Sequence, residues 1–279
     1  MRTLVINADD LGYAPGVNRG ILEAHAAGTV SSASMMVTAP AFAEAIELVR
    51  REAPRLGVGL HLDLVNGVPA TDAPSLVDAA TGRFHNLDAL ARRALAGQVD
   101  PADVRRECEA QLAALTAAGF TPTHLDSHRH AHAMPGILPA VAAVAHDAGI
   151  RVVRRPLDRL SLLDPMASAK MLMLQAAWRT ALTGVAPLHR AALARAPHFR
   201  GIAMQGMPDI RDRLLAALDQ LQIGVTEIMV HPGYDDEVLA AQDPFRSERE
   251  TELRALLDPA VRARLAKGDV KLVSFAEVG

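Results

Sequence analysis

The sequence predicts an α/β protein, a single-domain (β/α) barrel-like fold of the TIM-barrel kind with about seven strands. Three observations carry that expectation. Short apolar runs alternate with helix-period stretches from one end of the 279-residue chain to the other, with neither linker nor short-period repeat. Half of the residues are apolar but only 3% are aromatic, so Ala, Leu and Val must fill the interior, as in helices packed on a parallel sheet. The acids and histidines embedded in the apolar runs fall at or near their C-terminal ends, where parallel sheets gather their chemistry. An open doubly wound sheet is the second choice. No Gly-rich phosphate loop follows the first strand.

Residues 4–8 form the first apolar run, a buried strand that delivers Asn7, Asp9 and Asp10 at its end. Adjacent carboxylates repel in a buried site unless a cation or a shared proton relieves them. Successive strand residues point to opposite sides, so the two acids play one role only if the chain turns there; Gly12 allows such a turn. Residues 16–27 place Val17, Ile21, Leu22 and Ala24 at helical spacing, and Gly28 closes the helix. Residues 32–37 read as strand two, and Pro40 opens a helix to about residue 52. Residues 57–64 read as strand three, with His61 inside the apolar run. Alone, such a histidine is more often a hydrogen-bonded core residue; the acids and histidines elsewhere favour a ligand.

Residues 66–86 are rich in Gly, Pro, Asp and Thr, lack periodicity, and are expected to form a lid or binding loop. Asp100 and Pro101 cap a long helix to Ala118, ended by Gly119. Then comes Thr123-His124-Leu125-Asp126-Ser127-His128-Arg129-His130-Ala131-His132, with four of the eleven histidines. Residues 123–126 alternate like a strand end, and Pro135-Gly136 opens a helix to residue 148. Imidazole with carboxylate suits zinc, iron, cobalt or nickel better than calcium; the competing reading is a solvated His-rich turn. Residues 151–156 read as a strand ending in Arg154 and Arg155, able to clamp a carboxylate or hydroxyls. Residues 157–196 are expected to be a helical insertion; within it, 166–182 carries Met166, Met171, Met173 and Trp178, suited to core or an oligomer surface. Residues 209–221 form an amphipathic helix, and 226–230 a strand delivering His231-Pro232-Gly233-Tyr234. Helices near 247–257 and 259–267 precede a last short strand at 270–273.

A net charge of −3, no basic block and few aromatics argue against a nucleic-acid partner. No stretch approaches the ~20 apolar residues of a membrane span. The N-terminal apolar run is too short for a signal peptide and ends in two acids. The single Cys108 excludes an internal disulfide and fits a reducing compartment. The expectation is a cytoplasmic protein.

Asp9-Asp10, His61, Asp126-Ser127-His128 and His231 thus recur at strand ends that converge on one face of a barrel. One carboxylate and two histidines make an open three-ligand metal site, a second carboxylate beside it takes a proton from water, and His231 protonates a leaving group. That constellation fits metal-assisted hydrolysis of an amide or ester. The segments Asn7-Ala8-Asp9-Asp10-Leu11-Gly12, Gly59-Leu60-His61-Leu62, Thr123 through His132, and His231-Pro232-Gly233-Tyr234 resemble, in order, the four motifs of the YdjC-like carbohydrate deacetylases, which include chitooligosaccharide deacetylases of the ChbG type and hopanoid-biosynthesis-associated deacetylases. The resemblance spans essentially the whole chain. It implies a barrel-like fold and hydrolysis of the N-acetyl group of an amino sugar, with release of acetate.

By motif position, the resemblance makes Asp10, His61 and His128 the ligands of one divalent metal ion, Asp9 the general base, and His231 a catalytic or substrate-positioning residue. His124, Asp126, His130 and His132, with Arg154 and Arg155, are then supporting or substrate-binding residues, and Asp126 is a candidate to pair with a ligand histidine. The family implies zinc or magnesium; the ligand chemistry favours zinc, cobalt or nickel. The implied partners are a small acetylated amino sugar and, as a homodimer, a second copy of the chain. Arg129 stands where many relatives have His, and Leu11 where many have Phe; Arg129 is expected to shift preference toward an anionic or differently linked sugar. Scarce aromatics favour a short saccharide over a long stacked chain. Two rival readings are a non-haem iron oxygenase, which also uses two histidines and a carboxylate, and a non-catalytic sugar-binding protein.

Overall fold

The computed structural model describes residues 1–158 and 165–278. An apolar run needs cover on both faces, and β1 (Arg2–Leu11) has it, being buried from Leu4 onward. The chain continues through α1 (Pro15–Ala26), β2 (Ser32–Met35), α2 (Phe42–Glu52) and β3 (Gly57–Leu62). Within the expected loop, β4 (Val77–Asp78) and β5 (Arg83–Phe84) form a small antiparallel hairpin. Then follow α3 (Leu87–Leu95), capped by the Asn86 side chain, and α4 (Pro101–Ala117), capped by Asp100. β6 (Leu125–Ser127) leads through a short 3-10 turn to α5 (Leu138–Asp147). After α6 (Pro165–Thr183) come β7 (His198–Arg200), α7 (Ile210–Asp219), β8 (Gly224–Val230), α8 (Glu237–Ala240), α9 (Ser247–Leu257), α10 (Pro259–Leu265) and β9 (Lys271–Leu272).

The sheet order is β6-β3-β2-β1-β8-β7, every pairing parallel, and Val153 adds a bridge to Leu125 outside β6. The chain therefore visits β1, β2, β3, β6, Val153, β7, β8 and returns beside β1. This is the sequential order of a (β/α) barrel, with one seam, between Val153 and β7, where the described residues show no strand pairing. β2 begins opposite Asn7, which leaves Thr3 and Leu4 of β1 free to pair with β9.

Local differences from the expected elements have physical causes. The strand expected over 151–156 is reduced to the bridge at Val153, because Pro156 lacks a donor and the seam offers no second neighbour. The helix expected from residue 135 begins at Leu138, after Gly136 takes a φ of 79°. Neither β7, three residues long, nor α3 was expected, since such short elements carry too little periodicity. Residues 159–164 of the expected insertion lie outside the described residues. In α6, Met171 and Trp178 are buried, whereas Leu172 and Met173 are exposed. Among the described residues no helix is long and apolar enough to cross a membrane.

Candidate active site

The two adjacent acids share a cleft because β1 breaks its register at its end. Ala8 lies opposite Ala33 but Leu11 opposite Met35, one residue more than β2 supplies, and Asp10 takes a φ of 70°. Left-handed backbone is tolerated by Asp at a cost on the order of 1 kcal/mol. The turn needed to bring both carboxylates together thus falls on Asp10 itself. Asp9, Asp10, His61, His128 and His231 all line one cleft of about 510 Å³ at the C-terminal ends of the strands.

Asp10 Oδ1 lies 3.2 Å from His61 Nε2 and 3.0 Å from His128 Nδ1, and all three residues are buried. Its other oxygen accepts from Arg249 Nη2 at 2.7 Å. Burial alone pushes the Asp10 carboxyl up, but Arg249 and His128 outweigh it and hold it well below the usual carboxylate range. His61 Nδ1 lies 2.7 Å from Asp126 Oδ1. With its Nδ1–H given to Asp126, the Nε2 lone pair of a neutral His61 faces a carboxylate oxygen, a repulsive pairing that only a proton or a cation relieves. Burial opposes a charge on His61, yet Asp126 and Asp10 draw its pKa up to about 10. Four carboxylates, Asp9, Asp10, Asp126 and Glu227, meet only two guanidiniums here. The three donors converge, are chemically suited to a zinc-like ion, and sit in surroundings short of positive charge; they fit a divalent metal.

Asp9 is held differently. Arg154 Nη1 and Nη2 donate to its two oxygens at 2.6 Å each, and Asn7 Nδ2 adds a bond of 2.9 Å. Arg154 also contacts Asp126 and Glu227, each at 2.7 Å. His231 Nε2 lies 3.9 Å from Asp9 Oδ2, and its backbone N–H donates to Glu252 at 2.7 Å. Burial pushes the His231 imidazole down to about 4 despite Asp9 and Asp10, so it is neutral near pH 7. Glu252 is pushed by burial up to about 7.

The remaining predicted residues separate into supports and cleft walls. His124 is fully buried, with Nε2 3.1 Å from Ser34 Oγ, while Ser34 donates to Asp126 at 2.6 Å. Gly59 makes room for it, since a Cβ there would lie 2.3 Å from the His124 ring. His132 spans Ser127 Oγ and the Arg154 carbonyl, at 2.6 and 3.0 Å, and so fixes the strand end that carries Arg154. His130 and Arg129 line the cleft with φ of 58° and 54°. Arg129 pairs at 3.2 Å with Asp243, a carboxylate it shares with Arg249. Arg155 points away from this site, lining a separate cavity with Trp178.

Sequence reasoning missed Arg249, Glu227, Ser34 and Tyr13. Arg249 sits in α9 among charged neighbours, where pattern alone reads it as solvated, and Ser34 and Glu227 read as ordinary strand residues. A glutamate within the apolar strand β8 was the one available signal.

Strand order and site together define an α/β barrel-like protein with an acid–imidazole centre at its strand ends. More narrowly, the chain belongs to the YdjC-like family: the family model described as "YdjC-like protein" matches residues 3–267. A carbohydrate deacetylase of Brevibacillus brevis is 34% identical over 289 residues, covering 99% of both chains. A chitooligosaccharide deacetylase of Yersinia pestis is 32% identical over 281 residues with the same coverage. The human carbohydrate deacetylase is 33% identical, covering 99% of this chain and 90% of its own. The crystal structure of a proposed cellobiose-phosphate cleavage protein from Enterococcus faecalis superposes with a TM-score of 0.78 at 27% identity, covering 98% and 97% of the two chains.

Proposed function

We propose that this protein is a metal-dependent deacetylase that hydrolyses the N-acetyl group of an amino sugar or short oligosaccharide and releases acetate. The observation that carries the reading is the pair of adjacent carboxylates with divided tasks, Asp10 among two imidazoles and Asp9 locked on Arg154 beside them. Full-length relatives named as carbohydrate deacetylases support it.

Asp10, His61 and His128 would hold the ion, which when bound supplies Lewis acidity toward the acetamide carbonyl and acidity to the attacking water. Asp9 takes the proton of that water. Arg154 keeps the Asp9 carboxylate in one orientation, so no rotation is needed as the proton moves. Asp126 fixes the His61 tautomer and ring. His231, neutral and 3.9 Å from Asp9, relays a proton toward the departing amine as the carbon–nitrogen bond breaks.

Acetate release from a panel of N-acetylglucosamine saccharides, with metal stripped and restored, tests the reading. Release is expected to depend on metal and to fall about a thousandfold in Asp9→Asn, which still binds metal. Retained turnover in that variant removes Asp9 as base. Release without oxygen excludes the iron-oxygenase alternative, and binding without turnover identifies a silent sugar-binding protein. The exposed Leu172, Met173 and Leu188 support the further proposal of a homodimer, which a monomer in light scattering removes; the proposed cytoplasmic location rests on the single cysteine, Cys108.

A further inference from the structure

Neighbouring residues of an extended segment point to opposite sides, and Arg155 opens away from Arg154 into a separate cavity of about 600 Å³. None of its lining residues lines the cleft. Val153 N donates to the Ala192 carbonyl at 3.1 Å, which ties the Arg155 segment to the 3-10 turns at Pro187–Arg190 and Ala192–Ala194. α6 closes another side with Gln175, Trp178, Arg179 and Leu182. The volume lies within the range of about 300–1,000 Å³ for small-molecule sites.

Three guanidiniums, those of Arg155, Arg179 and Arg190, line this cavity, and no carboxylate does. Among the described residues none of the three is paired with an acid. Arg190 is held in place, its Nε and Nη2 on the Val185 and Leu182 carbonyls at 3.1 and 3.2 Å, but these neutral acceptors leave its charge unmatched. Arg155 Nε is buried with no hydrogen-bond partner among the described residues. The contrast with the cleft is sharp, since Arg154 meets three carboxylates and Arg249 two. A buried donor without an acceptor is costly, and an anion on the Arg155 guanidinium relieves it.

The chemistry of the wall narrows the anion. A single carboxylate leaves most of the charge of three guanidiniums unmatched. A phosphomonoester brings about two negative charges and three acceptor oxygens, which guanidinium forks engage bidentately. Leu157, Trp178, Leu182 and Leu193 add apolar surface beside the charges, which suits an uncharged body attached to the phosphate. No lining side chain is an acid, an imidazole or a nucleophile, so the cavity is built to hold a ligand rather than transform it.

We propose that this cavity is a second ligand site, binding a phosphomonoester with an apolar body. Arg155 and Arg179 recognise the phosphate, and Trp178 lies beside the bound ligand. Because the two sites share no lining residue, binding here does not depend on the deacetylase reading.

Trp178 is the chain's single tryptophan, so its fluorescence reports on this cavity. The full chain is titrated with phenyl phosphate, inorganic phosphate and benzoate, as wild type, Arg155→Gln and Arg179→Gln. Calorimetry on the same proteins catches binding that leaves the emission unchanged. Phenyl phosphate is expected to bind saturably, about tenfold more tightly than inorganic phosphate, which lacks the apolar body, or benzoate, which carries one charge. Each substitution is expected to raise its Kd about tenfold, the effect of one lost charge-assisted hydrogen bond. Arg179→Gln alters an exposed side chain and keeps the test informative if Arg155→Gln fails to fold. No binding of phenyl phosphate by either measurement overturns the proposal. So does binding that both variants leave unchanged, which puts the ligand elsewhere, or benzoate binding as tightly as phenyl phosphate.

Discussion

Arg154 and Arg249 are both buried, and each holds one of two adjacent carboxylates, yet their surroundings differ. Arg154 is enclosed by three carboxylates, Asp9, Asp126 and Glu227. Burial pushes Glu227 up to about 7, with Asp126 adding to the rise and Arg154 opposing it. Arg249 has Asp10 and Asp243, the ring faces of Tyr13 and Phe245 at 5.8 and 5.4 Å, and an Nη1 with no hydrogen-bond partner among the described residues. One side is a saturated clamp and the other is loose, with Asp10 Oδ1 left facing two imidazoles. The contrast explains how neighbouring residues of the same type divide labour. Asp9 is immobilised beside the centre, while Asp10 is presented to it.

Removing each arginine tests that contrast most strongly. Arg154→Met leaves three buried carboxylates without their cation and is expected to cost about 3–5 kcal/mol in urea denaturation. Arg249→Met, which strips fewer bonds, is expected to cost less, and a larger loss there reverses the comparison. Next comes Glu252, on the same helix as Arg249. Its carboxyl, pushed up to about 7 by burial although the N–H groups of His231 and Gly206 oppose the rise, keeps a proton that the unfolded chain releases near 4.5. Its contribution to stability is therefore full below pH 4.5 and is lost as pH rises through about 7. Glu252→Gln is expected to remove about 3 kcal/mol of that fall, read as the difference between the two proteins' unfolding free energies at pH 4.5 and 8. Parallel curves refute the assignment. The smallest effect expected is at Asp126, which steadies His61 from behind. Asp126→Asn should weaken metal binding about 10–100-fold in a competition titration; unchanged affinity means that the Asp126–His61 bond does not orient the ligand.

Much of this site was legible because its residues interrupt apolar runs. His61 in β3, Asp9 and Asp10 after β1, and the histidines after β6 stand out against buried neighbours, and parallel strands carry such residues to one end. Arg154 was legible for the same reason, while Arg155 turns to the other side of the strand and lines a different cavity. Arg249 was hidden because an arginine on a charged helix looks identical whether it faces water or an aspartate 239 positions away. Tyr13 was hidden because its significance lies in its ring, which packs beside His128 and under the Arg249 guanidinium, a property of its neighbours.

By itself the sequence determined the alternation of strands and helices, the acid and imidazole residues at the strand ends, and the family motifs, since each is written in local order and spacing. Only the tertiary structure decided that the turn joining Asp9 to Asp10 lies at Asp10, that Arg154 and Arg249 divide the two carboxylates, that Arg129 shares Asp243 with Arg249, and that Arg155 opens into a second cavity. Those are contacts between segments far apart in the chain. A side chain's charge partner and orientation depend on which surfaces pack together, and no local pattern encodes that.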